Sequence, residues 1–481
     1  MTLVAGNNVG TRTIWSYNLA PTGANKVRKA QTMIESMIAK AKAAQKTYEK
    51  FSQEQVDAIV RAIGKVVYDN AEELAKDAVE ETQMGVYEDK VTKNKGKSRA
   101  IWNHIKDKKS IGVIQEKGED GIIKIAKPVG VVGAVTPTTN PIVTPMCNSM
   151  FALKGGNAII IAPHPRAKNC SAKTVALMNA EIKRLGGPDN LIQCIEEPSI
   201  ALTNELMQSV DVLVATGGPG MVTAAYSSGK PSFGVGPGNV QVIIDEDIDY
   251  NDAAEKVIKG RKFDNGIICS GEQSVIAERS RYNDVIDAFK AQGAYYVDDQ
   301  VEADKFRKVL FENGHIAKDV VGQSPQTIAQ MAGVTIPEDT KIILIKSNGS
   351  DDDILRKEKM CPVMVAFEYD DFENAIEIAR FNLELEGKGH TCAIHSNNSA
   401  HIKQAGIALP ISRLVVNEAS SLTAGGSLQN GFAPTTTLGC GSWGNNSISE
   451  NLDYKHLINV HRIGYVQENK AVPTDDEIWA E

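Results

Sequence analysis

Two α/β units, each built on a doubly wound parallel sheet, with helices in front and a small β arm between, are the fold class this sequence predicts. Three observations predict it. Short continuous apolar runs alternate with helix-sized segments from Gly130 onward, as in a parallel sheet covered on both faces. The alternation restarts after about Gly260. The chain has 481 residues, room for several domains at roughly 150 residues each.

The elements follow in order. Residues 1–24 are polar and read as an extension. Apolar and small residues at helical spacing (Ile34, Ile38, Ala41, Ala44) predict a helix over 27–46, and the same pattern predicts helices over 53–75 and 92–105. Residues 110–125 read as a hairpin turning at 117–121. Strands are expected at 131–136, 158–162, 191–194 and 212–215, with helices between them. In the second unit, helices are expected at 282–293, 303–311 and 372–380, and strands at 341–345, 363–367 and 411–416. The Gly/Thr/Ser/Asn-rich stretch 424–449 is too long for a linker and reads as ordered loop.

Composition excludes several classes. Net charge is -8, which gives no general pull toward nucleic acid or an anionic membrane. No apolar run is long enough to span a membrane. The seven cysteines are scattered and never form CxxC. That argues against a disulfide framework or a metal site and for a reducing, cytoplasmic setting.

Four segments carry chemistry. Phe263-Asp264-Asn265-Gly266-Ile267-Ile268-Cys269-Ser270 places a cysteine among Gly and Ser after an apolar run, where a thiolate can act as nucleophile. Pro137-Thr138-Thr139-Asn140-Pro141 ends a strand, and an amide there can donate to an oxyanion. Thr216-Gly217-Gly218-Pro219-Gly220 lies between a strand and a helix, where glycine lets a nucleotide approach a helix N-terminus. Gly234-Val235-Gly236-Pro237-Gly238-Asn239 is a glycine turn. In isolation each also has a bland reading: core thiol, Asn-Pro turn, structural loop.

Together, and with Ala162-Pro163-His164-Pro165-Arg166-Ala167-Lys168, these phrases resemble the aldehyde dehydrogenase superfamily, and within it the CoA-acylating branch. Lys359-Met360-Cys361-Pro362 and Cys440-Gly441-Ser442-Trp443-Gly444 look like the group acting on succinate semialdehyde. The resemblance covers about Val27 to Trp479. It implies a nucleotide-binding domain (25–109 and 126–259), a catalytic domain (260–440), a return segment (441–459) and an oligomerisation arm (110–125 with 460–481). It implies Cys269 as nucleophile and Asn140, with the Cys269 backbone N–H, as oxyanion hole. The cofactor-binding set is Thr136, Pro137, Thr138, His164, Arg166, Lys168, Thr216, Gly217, Gly218, Val235, Gly236 and Glu358, with Glu358 on the nicotinamide ribose. His390 and Arg413 are candidates for the substrate, though Arg413 also reads as structural. No metal is implied.

One departure is informative. Hydrolytic members carry a general-base Glu where this chain has Val235. Valine cannot activate water, whereas a CoA thiol has an ordinary thiol pKa and needs less help. The expected reaction is therefore oxidation of succinate semialdehyde to its CoA thioester with NADP or NAD, reversibly. Sulfoacetaldehyde and other short aldehydes stay open as substrates, and a non-catalytic assembly component is the reading from another class. The phrase 163–168 holds two cations and no carboxylate, which favours a 2′-phosphate and hence NADP. The expected partners are the small aldehyde or acyl-CoA and a second copy of the chain, as homodimer or homotetramer. Nucleic acid and membrane are not expected.

Overall fold

The computed structural model describes residues 21–468 and 470–480. The expectation for the N-terminal extension falls almost wholly outside them.

Five parallel strands form the first sheet, in the order Ile192–Cys194, Ala158–Pro163, Val131–Thr136, Val212–Thr216, Ser232–Val235. The chain starts in the middle, winds to one edge, then returns and winds to the other. That reversal opens a crevice beyond the carboxyl ends of the strands. Seven parallel strands form the second sheet, in the order Ala294–Val297, Ile342–Lys346, Val363–Tyr369, Ser274–Glu278, Gln241–Ile244, Gly389–His395, Ile411–Val416. Alternate residues of one strand feed opposite cores: Ile343 and Ile345 pack on one face, Ile342 and Leu344 on the other. This two-residue period explains why both faces need apolar side chains and why the strands read as unbroken runs.

Gln241–Ile244 lies in the second sheet, so the chain crosses between sheets before residue 259, where the first unit was expected to end. Leu452 and Leu457 return to the core of the first unit. The hairpin strands Gly112–Gln115 and Ile122–Pro128 are joined by Ile458–Gly464 into an antiparallel three-stranded sheet.

The helix expected over 53–75 is two helices, Gln53–Asp69 and Ala71–Thr82. They part at Asn70, whose side-chain amide donates to the Val66 carbonyl at 2.8 Å and so competes with the helical ladder. The helix expected from residue 92 begins at Tyr87. Its first turn carries Glu88 and Asp89, which hide the apolar period yet suit the positive helix end.

Candidate active site

Cys269 sits on the loop joining helix Tyr250–Lys262 to strand Ser274–Glu278. Asp264 and Asn265 there hold φ of 52° and 51°, a left-handed conformation that costs non-glycine residues energy unless contacts fix it. The contacts come from the other unit. The Asp264 carboxylate accepts from the Val86 N–H at 2.8 Å and from the Lys90 ammonium at 3.1 Å. The Lys93 ammonium also donates to it, and the Asp264 N–H donates to Asp89 at 2.8 Å. Burial pushes the Asp264 carboxyl up, but Lys93 and Lys90 outweigh it and hold it below its usual range.

The Cys269 thiol is half-buried, while five of the other cysteines are buried and Cys194 is half-buried on the first sheet. Burial, then Glu358, then Cys440 push the Cys269 thiol up to about 12, with Arg413 pulling the other way. Gly238 presses on the loop: a Cβ there would stand 1.8 Å from the Cys269 carbonyl oxygen. Only glycine permits this approach.

Asn140 faces Cys269 across one cavity of about 520 Å³. The Lys93 ammonium donates to Asn140 Oδ1 at 2.7 Å. That bond fixes which way round the amide lies and leaves Nδ2, which among the described residues donates weakly to Thr139 Oγ1 at 3.4 Å, as the donor end. Sequence reasoning missed Lys93, Asp264 and the cavity wall formed by Lys97, Arg99, Ser421 and Thr436. The available signal was the spacing of Lys90, Lys93 and Lys97 on one helix face. Such a stripe ordinarily reads as solvated surface.

The residues expected to hold a dinucleotide gather at the strand ends of the first sheet. Thr136 is in register with Pro163, and Thr216 with Val235. Pro137 and Thr138 continue from Thr136, half-buried. Beyond Thr216, helix Pro219–Ser227 starts with proline, and Gly218 and Gly236 have open space where a side chain would go. Thr136 Oγ1 is buried without a hydrogen-bond partner among the described residues. An orphaned hydroxyl, open glycines and a helix N-terminus at one crevice fit a phosphate-bearing nucleotide.

His164 and Arg166 are exposed at its outer edge. The Lys168 ammonium is paired with the Glu197 carboxylate at 2.6 Å. A carboxylate does stand beside the expected adenosine end, brought there from the next strand–helix connection. Among the described residues, Arg166 donates to the Thr82 carbonyl, at 3.3 Å, and forms no ion pair.

Glu358 accepts from the Gly238 N–H at 3.0 Å, and burial, then Glu386, raise its carboxyl to about 8. His390 is buried, its ring 3.1 Å from the place of a Gly238 Cβ. Burial and Arg413 hold its imidazole well below the usual range, and Nε2 has no partner among the described residues. Arg413 donates to the His390 carbonyl at 2.8 Å, to Thr391 at 3.1 Å and to Asn451 at 3.1 Å. These bonds commit its guanidinium to the fold, and neither it nor His390 lines the cavity shared by Cys269 and Asn140. Val235 is 1% exposed, with no carboxylate in its place.

Known proteins are similar to this chain in sequence and fold. Over 93% of this chain and 99% of its own length, the succinate-semialdehyde dehydrogenase (acetylating) of Clostridium kluyveri is 61% identical. A sulfoacetaldehyde dehydrogenase of Acholeplasma is 43% identical over 93% of this chain and 94% of its own. The crystal structure of an acetylating aldehyde dehydrogenase from Geobacillus thermoglucosidasius superposes with a TM-score of 0.89 at 38% identity, covering 93% of this chain and 99% of that one. The sequence profile of the aldehyde dehydrogenase family matches residues 22–307. With the cysteine loop, the facing amide and the nucleotide crevice in one molecule, the chain belongs to the aldehyde dehydrogenase family.

Proposed function

We propose that the chain oxidises succinate semialdehyde to succinyl-CoA with NAD(P)+ and CoA, reversibly, through a thioester on Cys269. The observation that carries this reading is the cavity shared by Cys269 and Asn140, with Val235 where a water-activating carboxylate would stand. Cys269 adds to the aldehyde carbonyl, and the resulting oxyanion is held by Asn140 Nδ2 and the Cys269 N–H. When bound, NAD(P)+ supplies the hydride acceptor, and hydride loss turns the thiohemiacetal into an acyl thioester. With no base at Val235, water attacks this ester poorly. A CoA thiolate displaces Cys269 and carries the acyl group away.

Thr136, Thr216, Gly217, Gly218 and Gly236 would cradle the dinucleotide, and Glu358 would receive its nicotinamide ribose. Cys269 would add as its thiolate, its proton having passed to solvent, while His390, uncharged and off the shared cavity, stays beside the Gly238 turn. The three-stranded arm, with Val113 and Ile463 exposed on it, supports pairing with a second copy. All seven thiols are free, in keeping with a cytoplasmic setting. Among the described residues no helix is long and apolar enough to cross a membrane.

The test is NAD(P)H formation with succinate semialdehyde, sulfoacetaldehyde and acetaldehyde, each with and without CoA. CoA-dependent turnover, fastest with succinate semialdehyde, is expected. Cys269→Ser should lose on the order of 10⁴-fold or more in kcat. Turnover independent of CoA, or unchanged in Cys269→Ser, would overturn the reading.

A further inference from the structure

We propose that Lys97 is the specificity-determining residue of this site: its ammonium receives the anionic tail, carboxylate or sulfonate, of the aldehyde that Cys269 attacks. The inference rests on the reading of Cys269 and Asn140 as the reacting centre and adds what binds the far end of the substrate.

Lys97 lines the same cavity as Cys269 and Asn140. It lies one helical turn beyond Lys93 on helix Tyr87–Ile105, so one helix face carries both the lysine that holds the oxyanion donor and the next cation along. The two lysines differ in their partners. Lys93 shares the Asp264 carboxylate. Among the described residues, the Lys97 ammonium has one hydrogen bond, to the Gly425 carbonyl at 2.8 Å, and forms no ion pair. Among the described residues no Asp or Glu lines the cavity, while Lys93, Lys97 and Arg99 all do. An ammonium taken out of water without a counter-ion is costly, and an anionic ligand in the same space removes that cost.

Burial lowers the Lys97 ammonium to about 8, with the Cys147 sulfur and then the Cys269 sulfur acting the other way. The ammonium also fills the space a side chain at Gly425 would need: a Cβ there would stand 2.7 Å from Lys97 Nζ. Gly425 therefore keeps the loop against the ammonium, and Arg99, exposed at the cavity rim, adds a second positive charge on the way in. A neutral aldehyde gains nothing from this arrangement. A small aldehyde with an acidic tail gains a charge-assisted hydrogen bond at one end while its carbonyl meets Cys269 at the other.

The experiment compares wild type, Lys97→Met and Lys97→Arg by two readouts. The first is kcat/KM for succinate semialdehyde, sulfoacetaldehyde and butanal. Lys97→Met should lose about tenfold to a hundredfold on whichever anionic aldehyde the wild type prefers, mainly through KM, with butanal changed less than about threefold. Lys97→Arg should recover most of the loss. An equal loss on butanal, or none on the anionic aldehydes, overturns the proposal. The second readout needs no turnover: the ratio of Cys269 labelling rates by iodoacetate and by iodoacetamide, with the label located by peptide mapping. The ratio should fall about tenfold in Lys97→Met, and an unchanged ratio overturns the proposal. Absence of CoA-dependent oxidation of every aldehyde in the wild type would sink the proposed reaction instead, and the labelling ratio would still decide the role of Lys97.

Discussion

The two ends of the cleft are built on different physical terms. At the aldehyde end, charged groups are buried and fixed by one another: Lys90 and Lys93 bind Asp264, and Lys93 binds Asn140. At the nucleotide end, His164 and Arg166 are exposed, and Lys168 meets Glu197, itself 81% exposed. Buried polar networks are stiff and intolerant of a missing member. Exposed pairs are screened by solvent and contribute little to stability. In the proposed reaction the first end would hold an oxyanion donor already in place, and the second would release one nucleotide so that another can enter.

The comparison breaks most sharply at Asn140. Asn140→Ala should lower kcat about 10²–10³-fold, the usual effect of removing one oxyanion donor. Lys93→Met should lower it by less. In the double variant the two losses should fail to add, because Lys93 acts through Asn140. Full additivity in steady-state kinetics would separate Lys93 from the amide.

Labelling kinetics sharpen the electrostatic side. With its thiol pushed up to about 12, Cys269 is almost wholly protonated at neutral pH, and the thiolate fraction rises about tenfold per pH unit below that value. Iodoacetamide labelling without cofactor should rise accordingly. Between pH 7 and 9 the slope should flatten, because Glu358 loses its proton near 8 and opposes the thiolate. Glu358→Gln should restore the full slope, matching wild type near pH 7 and exceeding it at pH 9. Identical slopes would detach Glu358 from the thiol.

The smallest effect belongs to the open end. Arg166→Ala should reduce the kcat/KM preference for NADP+ over NAD+ about three- to tenfold, and Glu197→Gln should shift it the other way by a similar factor. If both ratios hold still, neither residue meets the adenosine ribose.

The fold class and family were legible because apolar runs and glycine phrases are local signals. Strand Gly389–His395 escaped notice because His390, Thr391 and His395 interrupt its hydrophobicity, although all seven of its residues are buried. Cys269 and Asn140 stood out within their own phrases. Their supporting charges did not. Lys93 and Lys97 look like solvated helix residues until Asp264 and Gly425, far along the chain, close over them. Glu197 escaped for the same reason, being separated from Lys168 by a whole helix and strand.

Helix Tyr87–Ile105 also constrains how such a protein can diverge. The lysine that holds the Asn140 amide and the lysine proposed to meet the aldehyde's tail share one helix, a single turn apart. A lineage that slid or rotated this helix to admit a new aldehyde would drag Asn140 out of line, and displacements of about 1 Å are costly in catalysis. A change of substrate range that preserves rate is therefore expected from side-chain exchanges at positions 97 and 99 or in the loop carrying Gly425, with the helix left in place.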